Sequence, residues 1–416
     1  MMQRPPHKWW VLACLALLGL IRSILIAHAR GRKRARVASG VPSTTGPSPR
    51  AIQVGDSEVH LYTHGHELYP AMLQAIRQAR ARILLDTFIW KADAAGLLVK
   101  QELQRAAERG ISVWIIYDRF ANLVVPRSFK RFPSSIAVLA YPLRIHPWPP
   151  WPLWRVLCCP RDHHKLLVVD GQHAFVGGYN LGVSYASTWR DTHVGITGPD
   201  AGQLENFFID FWNTYHHSTL PALSILPDLD QHTWPTVLHL QWNDPPLLRS
   251  SIRSSYLEAI AQARSHIYLT QAYFIPDYEL FRALLSAAWR GVDVRLLLPA
   301  ASNHMIADWL ARAYYTRCLQ AGIRVLLYQP TVLHAKTATI DGRWSTIGTA
   351  NLDCQSLRNN FEVNVVVCDE ALAQQMEAIF TEDTIHCQEM TLAQWQHRPQ
   401  WWKILERLLR PLRPLF

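Results

Sequence analysis

Hydrophobic positions along this chain fall into a helix-then-strand series that occurs twice. Leu73, Ile76 and Ala79 share one helical face in the octet Leu73-Gln-Ala-Ile-Arg-Gln-Ala-Arg80, which recurs as Leu257-Glu-Ala-Ile-Ala-Gln-Ala-Arg264. An apolar run that reads as a strand follows each octet, at 83–90 and 267–274. A second helical pattern then ends at Arg109-Gly110 or at Arg290-Gly291, with Gly where a helix C-terminus is expected. Strands are predicted next at 113–117 and 294–298, and then hairpin strands at 165–169 and 337–340 entering Asp170-Gly171 and Asp341-Gly342. Helix, strand, helix, strand and hairpin in each half predict an α/β fold. It consists of two tandem α/β sandwich repeats related by pseudo-two-fold symmetry, with the active site at their interface.

The repeat sets the boundaries: a first half over 53–215, a connection over 216–248 and a second half over 249–400. The first half carries about ten extra residues before His163, within a stretch at 141–160 rich in Trp and Pro. Trp favours the headgroup zone of a bilayer, so this insert is expected to form a lip of the site that touches lipid. Residues 1–37 form a hydrophobic N-terminal segment with a basic flank, and 38–52 read as a linker. The apolar core at 9–29 is just long enough to span a bilayer, at the cost of carrying Arg22. It is read as a membrane anchor, an interfacial helix with Arg22 snorkelling, or a signal peptide cleaved after Ala27-His28-Ala29. The basic run Arg30, Arg32, Lys33, Arg34 and Arg36 argues against export. It places the catalytic halves on the cytoplasmic side of the cell inner membrane. The tail 401–416 mixes Trp, Leu and Arg, as an interfacial segment or a helix docked on the protein's own core would.

Composition narrows the class. Hydrophobic residues at 49% and charged residues at 18% describe a globular chain, and 416 residues can bury two cores. A net charge of +10 favours an anionic partner: nucleic acid, an anionic membrane surface or a phosphate substrate. The 7 cysteines show no zinc or redox spacing, which fits a reducing compartment.

The candidate chemistry lies in the repeated hairpins. His163, Lys165, Asp170, Asn180 and Asp191 in the first half match His334, Lys336, Asp341, Asn351 and Glu362 in the second, with identical spacing throughout. One HxK pair alone usually marks an exposed strand edge; two copies, each with a trailing Asn and acid, mark a site. Strand alternation puts His163 with Lys165, and His334 with Lys336, on one face. The same alternation turns Asp170 and Asp341 elsewhere, so within the signature they are assigned to the turns, and His164 to the opposite face. Lys165, Lys336, Asn180 and Asn351 are expected to bind the substrate phosphate, where charge accumulates as phosphorus is attacked. One neutral histidine can attack phosphorus while the other, protonated, gives its proton to the leaving alcohol. Asp191 and Glu362 are the candidates to orient the histidines. No metal and no cofactor are called for; a metal reading of His163-His164 lacks Cys or carboxylate ligands at a suitable spacing.

These residues resemble the phospholipase D superfamily, whose double HxKxxxxD signature corresponds here to the catalytic set His163, Lys165, Asp170, His334, Lys336 and Asp341. The resemblance covers roughly 53–385 and is most like the bacterial cardiolipin synthases. It is carried by Trp189-Arg-Asp-Thr-His-Val194, Tyr273-Phe-Ile-Pro-Asp277, Leu333-His-Ala-Lys336, Gly348-Thr-Ala-Asn-Leu-Asp353 and Asn360-Phe-Glu362. It implies phosphatidyl transfer from phosphatidylglycerol to an acceptor phospholipid, giving cardiolipin and glycerol. It also implies a covalent phosphohistidine, placed on His163, with His334 as the acid; the symmetric motif itself does not order the two. The expected enzyme works as a self-sufficient monomer on a membrane. Hydrolysis of phospholipids is the alternative within the same chemistry. A nuclease activity is disfavoured by the hydrophobic N-terminus and the absence of a base-stacking motif, so no nucleic acid partner is expected.

Overall fold

A computed structural model of the chain describes residues 51–142, 159–224 and 237–415. The hydrophobic N-terminal segment and the Trp/Pro-rich insert at 143–158 lie outside the described residues. Among those described, no helix is long and apolar enough to cross a membrane.

The first half contributes β1 (Ile52–Val54), β2 (Ser57–His64), β3 (Arg82–Thr87), β4 (Ser112–Asp118), β5 (Ile136–Tyr141), β6 (Lys165–Val169), β7 (His173–Gly177) and β8 (Arg190–Thr197). Its helices are α1 (Gly65–Gln78), α2 (Ala94–Glu108), α3 (Val183–Ser187) and α4 (Ala201–Tyr215). The second half contributes β9 (Leu238–Asp244), β10 (Arg249–Ser250), β11 (His266–Gln271), β12 (Phe274–Ile275), β13 (Asp293–Pro299) and β14 (Arg324–Tyr328). Then come β15 (Lys336–Ile340), β16 (Trp344–Gly348), β17 (Leu352–Asp353), β18 (Glu362–Cys368) and β19 (Cys387–Met390). Its helices are α5 (Ser251–Gln262), α6 (Tyr278–Trp289), α7 (Met305–Gln320), α8 (Glu370–Ile385), α9 (Leu392–Gln396) and α10 (Gln400–Leu409).

The two large sheets repeat one topology. The order β2-β8-β7-β6-β3-β4-β5 in the first half is matched by β9-β18-β16-β15-β11-β13-β14 in the second. In both, β3-β4-β5 and β11-β13-β14 run parallel and the remaining neighbours are antiparallel. β6 and β15 are buried along their whole length, as strands covered on both faces must be. The stretch 216–248, expected to be a connection, supplies β9 to the second sheet, so the second half begins before 249.

The halves share a core. Val176 and Val194 pack in one cluster with Ile347, Val363, Val365 and Val367, which α4 and α8 also join, while the other helices of each half cover a separate cluster on its outer side. This central packing, in which β-branched residues of both sheets meet aromatic and aliphatic residues of α4 and α8, fixes the seam and the two hairpin ends that meet there.

Candidate active site

His163 lies two residues before Lys165, the first residue of β6; His334 stands in the same relation to Lys336 and β15. Across the sheet, Lys165 faces Thr87 and Lys336 faces Gln271, equivalent positions of β3 and β11. Both lysines are buried and turn back onto their own motif. Lys165 Nζ donates to His163 O at 2.6 Å, and Lys336 Nζ donates to His334 O and lies 2.8 Å from His334 Nδ1. Each histidine feels the charge of the other half's lysine, which places the four side chains in one site.

The acids cross the seam. His163 Nδ1 is 2.8 Å from both carboxylate oxygens of Glu362, and His334 Nδ1 is 2.6 Å from Asp191 Oδ2. The backbone explains the crossing. His163 N–H donates to Phe361 O at 3.1 Å, and His334 N–H donates to Arg190 O at 2.7 Å. In each case the acid is the next residue after the acceptor, at the start of β18 or of β8. Gly178 and Thr349 occupy matching positions and serve these acids differently. A Cβ at Gly178 would lie 2.0 Å from Asp191 Oδ1, so only glycine leaves room for that carboxylate. Thr349 Oγ1 instead donates to Glu362 Oε2 at 2.5 Å.

Asp170 and Asp341, part of the six-residue signature, are not at the reacting centre. Both hold φ of 54° at the tip of a hairpin, followed by a glycine also at positive φ. Gln172 N–H donates to Val169 O and Arg343 N–H to Ile340 O, closing turns of the type that matches strand twist. The Asp170 carboxylate accepts from the backbone N–H groups of Arg80, Ala81 and Arg82, and Asp341 accepts from Arg264, Ser265 and His266, all at 2.8–2.9 Å. Each therefore ties a hairpin to the start of β3 or β11. The catalytic assignment of these two residues is corrected to an anchoring one.

The asparagines are placed less symmetrically than the spacing suggests. Asn180 Oδ1 accepts from Ile89 N–H at 3.1 Å, and its side chain also bonds Tyr185. Asn351 Nδ2 is 3.4 Å from Ser356 Oγ, and its Oδ1 is buried with no hydrogen-bond partner.

Burial dominates the electrostatics of the site. It pushes Lys165 down to about 7, with Lys336 adding to the shift and Glu362 opposing it, and it pushes Lys336 down to about 8. His334 falls to about 3 and His163 well below its ordinary value, burial first and the lysines second. The two acids differ. Burial raises Glu362 to about 7 against the pull of Lys165. Burial would also raise Asp191, but Lys336 and His334 hold it below the usual carboxylate range. A phosphodiester anion between the lysines opposes every one of the cation shifts.

Several site residues escaped the sequence reading. Phe88 meets the His163 ring edge-on at 4.5 Å; Trp189 and Tyr273 flank His334 at 5.3 and 6.2 Å. Trp189 and Tyr273 stand inside segments quoted for the family resemblance, which was the available signal. Arg190 is a clamp between halves: it binds both Asp383 oxygens, at 3.0 and 2.6 Å, and donates to Asp191 O.

His164 points to the opposite face, as alternation requires. Its Nδ1 lies 2.9 Å from Asp162 Oδ1 and 3.1 Å from Asp86 Oδ2. Among the described residues this is the one group with metal-like clustering of ligand atoms. The two carboxylates raise His164 to about 9 although burial opposes them, so its Nδ1 carries a proton shared with both acids.

Comparison with known proteins identifies the family and the fold. A family model described as cardiolipin synthase, PLD-like domain, matches residues 72–212 and 256–384. Cardiolipin synthase A of Pseudomonas putida is 34% identical over 373 residues, which is 87% of this chain and 76% of that protein. A cardiolipin synthase of Listeria monocytogenes is 29% identical over 402 residues, covering 88% and 77%. The crystal structure of phosphatidylserine synthase from Haemophilus influenzae shares the fold, with a TM-score of 0.69 over 88% of this chain and 96% of that one at 15% identity.

Proposed function

This chain belongs to the cardiolipin synthase family of the phospholipase D superfamily, and on that premise we propose that it joins two molecules of phosphatidylglycerol into cardiolipin, releasing glycerol, through a phosphatidyl group carried on His163. The observation that carries this reading is the crossed pairing: each Nδ1 is engaged by an acid of the other half, which leaves each Nε2 for chemistry.

In the first step His163 Nε2 forms a bond to the donor phosphorus while the bond from phosphorus to the glycerol oxygen breaks. His334 Nε2 gives the departing oxygen its proton. In the second step neutral His334 takes the proton of the acceptor's hydroxyl, whose oxygen bonds phosphorus as the P–N bond breaks. Lys165 and Lys336, with the amides of Asn180 and Asn351, hold the phosphoryl oxygens. In the free site burial keeps both histidines neutral; the Asp191 charge opposes that shift at His334, and the substrate anion between the lysines opposes it further, so the bound phosphodiester favours a proton there.

One chain supplies both histidines and both acids, which supports catalysis by a monomer. The tail supports a membrane partner. α10 packs Leu405 and Leu409 inward while Trp401, Ile404 and Leu408 are exposed beside Arg407 and Arg410, an arrangement suited to an anionic bilayer surface. One face is thus docked on the protein and the other is open, which supports an interfacial role for the open face. The basic run after the N-terminal segment supports a cytoplasmic location at the inner membrane.

The test is product analysis. Purified protein in phosphatidylglycerol vesicles without added metal is expected to yield cardiolipin and glycerol by lipid mass spectrometry. Phosphatidic acid as the sole product would assign hydrolysis instead.

A further inference from the structure

The two halves share a topology but differ at the C-terminal ends of their parallel strands, where α/β sheets bind ligands. In the first half that end is filled. Trp90 packs against Phe129 and Phe132 at 5.7 Å each, and Lys100 Nζ donates to Phe129 O and Arg131 O, pinning the loop after β4. In the second half a cavity of about 450 Å³ opens at the ends of β11, β13 and β14. Its walls include Tyr273, Ala301, Asp308, Arg312 and Trp402. Tyr273 lies between it and the reacting centre, since the same ring flanks His334 at 6.2 Å.

Arg312 gives this cavity its chemical character. The side chain is 7% exposed, and its guanidinium lies 4.3 Å from the Trp309 ring and 4.5 Å from the Trp402 ring. Contact with two indoles set at 82° to each other holds its position and lowers its entropy loss on binding an anion, which suits capture of phosphate. Asp308, one turn earlier on α7, accepts from Ser302 N–H at 3.1 Å with each oxygen and also faces the cavity. A carboxylate one turn from the guanidinium can accept a glycerol hydroxyl while the guanidinium takes the phosphate.

We propose that this cavity is the subsite for the acceptor lipid's glycerol-phosphate headgroup, with the acceptor's own phosphodiester held by Arg312 and its attacking hydroxyl delivered to His334. The assignment rests on the phosphatidyl-transfer reading and deepens it. The donor's leaving glycerol carries no second phosphate, whereas the acceptor carries one a glycerol unit away from the attacking oxygen. Arg312 therefore discriminates for the lipid acceptor against water and neutral alcohols. The cavity's position beside His334 and not His163 also agrees with His334 as the residue that exchanges protons with the alcohol.

The experiment is a partition assay in phosphatidylglycerol vesicles with ethanol as a competing acceptor, reading the ratio of cardiolipin to phosphatidylethanol. Arg312→Gln is expected to lower the ratio roughly tenfold or more, the loss of one charge-assisted contact, with partial recovery in Arg312→Lys. Ala301→Phe, which fills the cavity while keeping the arginine, is expected to lower the ratio in the same direction and carries the test if the glutamine variant does not fold. Glycerophosphoglycerol added to the wild type should lower the ratio, and inorganic phosphate at the same concentration should not. An unchanged ratio in the folded variants, a parallel loss of both products, or equal competition by inorganic phosphate overturns the subsite. Wild-type protein that makes neither product overturns the phosphatidyl-transfer reading itself, a result distinct from any change in ratio.

Discussion

His163 Nδ1 lies 2.8 Å from both carboxylate oxygens of Glu362, a residue 199 positions away in the other half of the chain. The reciprocal pair, His334 and Asp191, closes at 2.6 Å. Neither half alone contains a histidine with its acid, so the site exists only where the two sheets pack. The cluster shared by Val194 and Val365 is thus a condition of the chemistry as well as of stability.

Glu362→Gln leaves His163 Nδ1 without its carboxylate and should slow phosphatidyl-enzyme formation by roughly 10²–10⁴-fold. Asp191→Asn should slow the reaction comparably with phosphatidylglycerol. With a phosphatidyl-p-nitrophenol donor, whose leaving group needs no proton, the Asp191→Asn defect in the first step should shrink while the Glu362→Gln defect persists. Single-turnover burst kinetics read the difference; the opposite pattern reverses the roles of the two histidines.

Asp170→Ala and Asp341→Ala should each lose about 2–4 kcal/mol of stability, because three backbone N–H groups lose a charged acceptor. Activity per folded molecule should stay within a few-fold of wild type. Urea melts paired with specific activity measure both. A full melt stability with abolished turnover would restore these residues to the catalytic set.

The lysines set a basic limb in the pH profile. Burial pushes Lys165 to about 7 and Lys336 to about 8, and each is charged below its own value. As pH rises through about 7 to 8 the free enzyme loses its phosphate-binding charges, so kcat/KM should fall there. Bound phosphate raises both values, so the descending limb of kcat should sit at higher pH. Lys165→Arg, always charged, should move the limb of kcat/KM upward. A kcat/KM that stays flat to about pH 9 contradicts this assignment.

Replacing Ile404 and Leu408 together by Glu leaves the inward face of α10 intact, since Leu405 and Leu409 carry that contact and Trp401, which meets buried Trp309 at 5.9 Å, is kept. Co-sedimentation with phosphatidylglycerol vesicles should fall clearly, with thermal stability little changed. Undiminished binding would assign membrane attachment to other parts of the chain.

Much of this was legible in the sequence, for identifiable reasons. The duplicated octet and the Asp-Gly turns are local signals, and the structure places both hairpins and both HxK faces where the alternation put them. Asp170 and Asp341 were legible as turn residues from parity alone, although the family signature counts them with the catalytic set. What the sequence did not show are the relations between distant segments. No spacing encodes that Glu362 serves His163 while Asp191 serves His334, since either pairing fits identical motifs. β9 was hidden in the connection because a short half-buried strand there looks like any Pro-flanked loop. The Arg190–Asp383 clamp joins β8 to α8, and only packing brings them together. The difference between the two strand ends, filled by Trp90 and Phe129 in one half and open beside Arg312 in the other, depends on side-chain volume in three dimensions.

The most direct measurement is to acid-quench the enzyme during turnover of phosphatidylglycerol and map the modified peptide by mass spectrometry. The account predicts a phosphatidyl adduct on His163, absent in His163→Ala, persisting in an Asp341→Asn control. An adduct on His334 with His163 unmodified would contradict it.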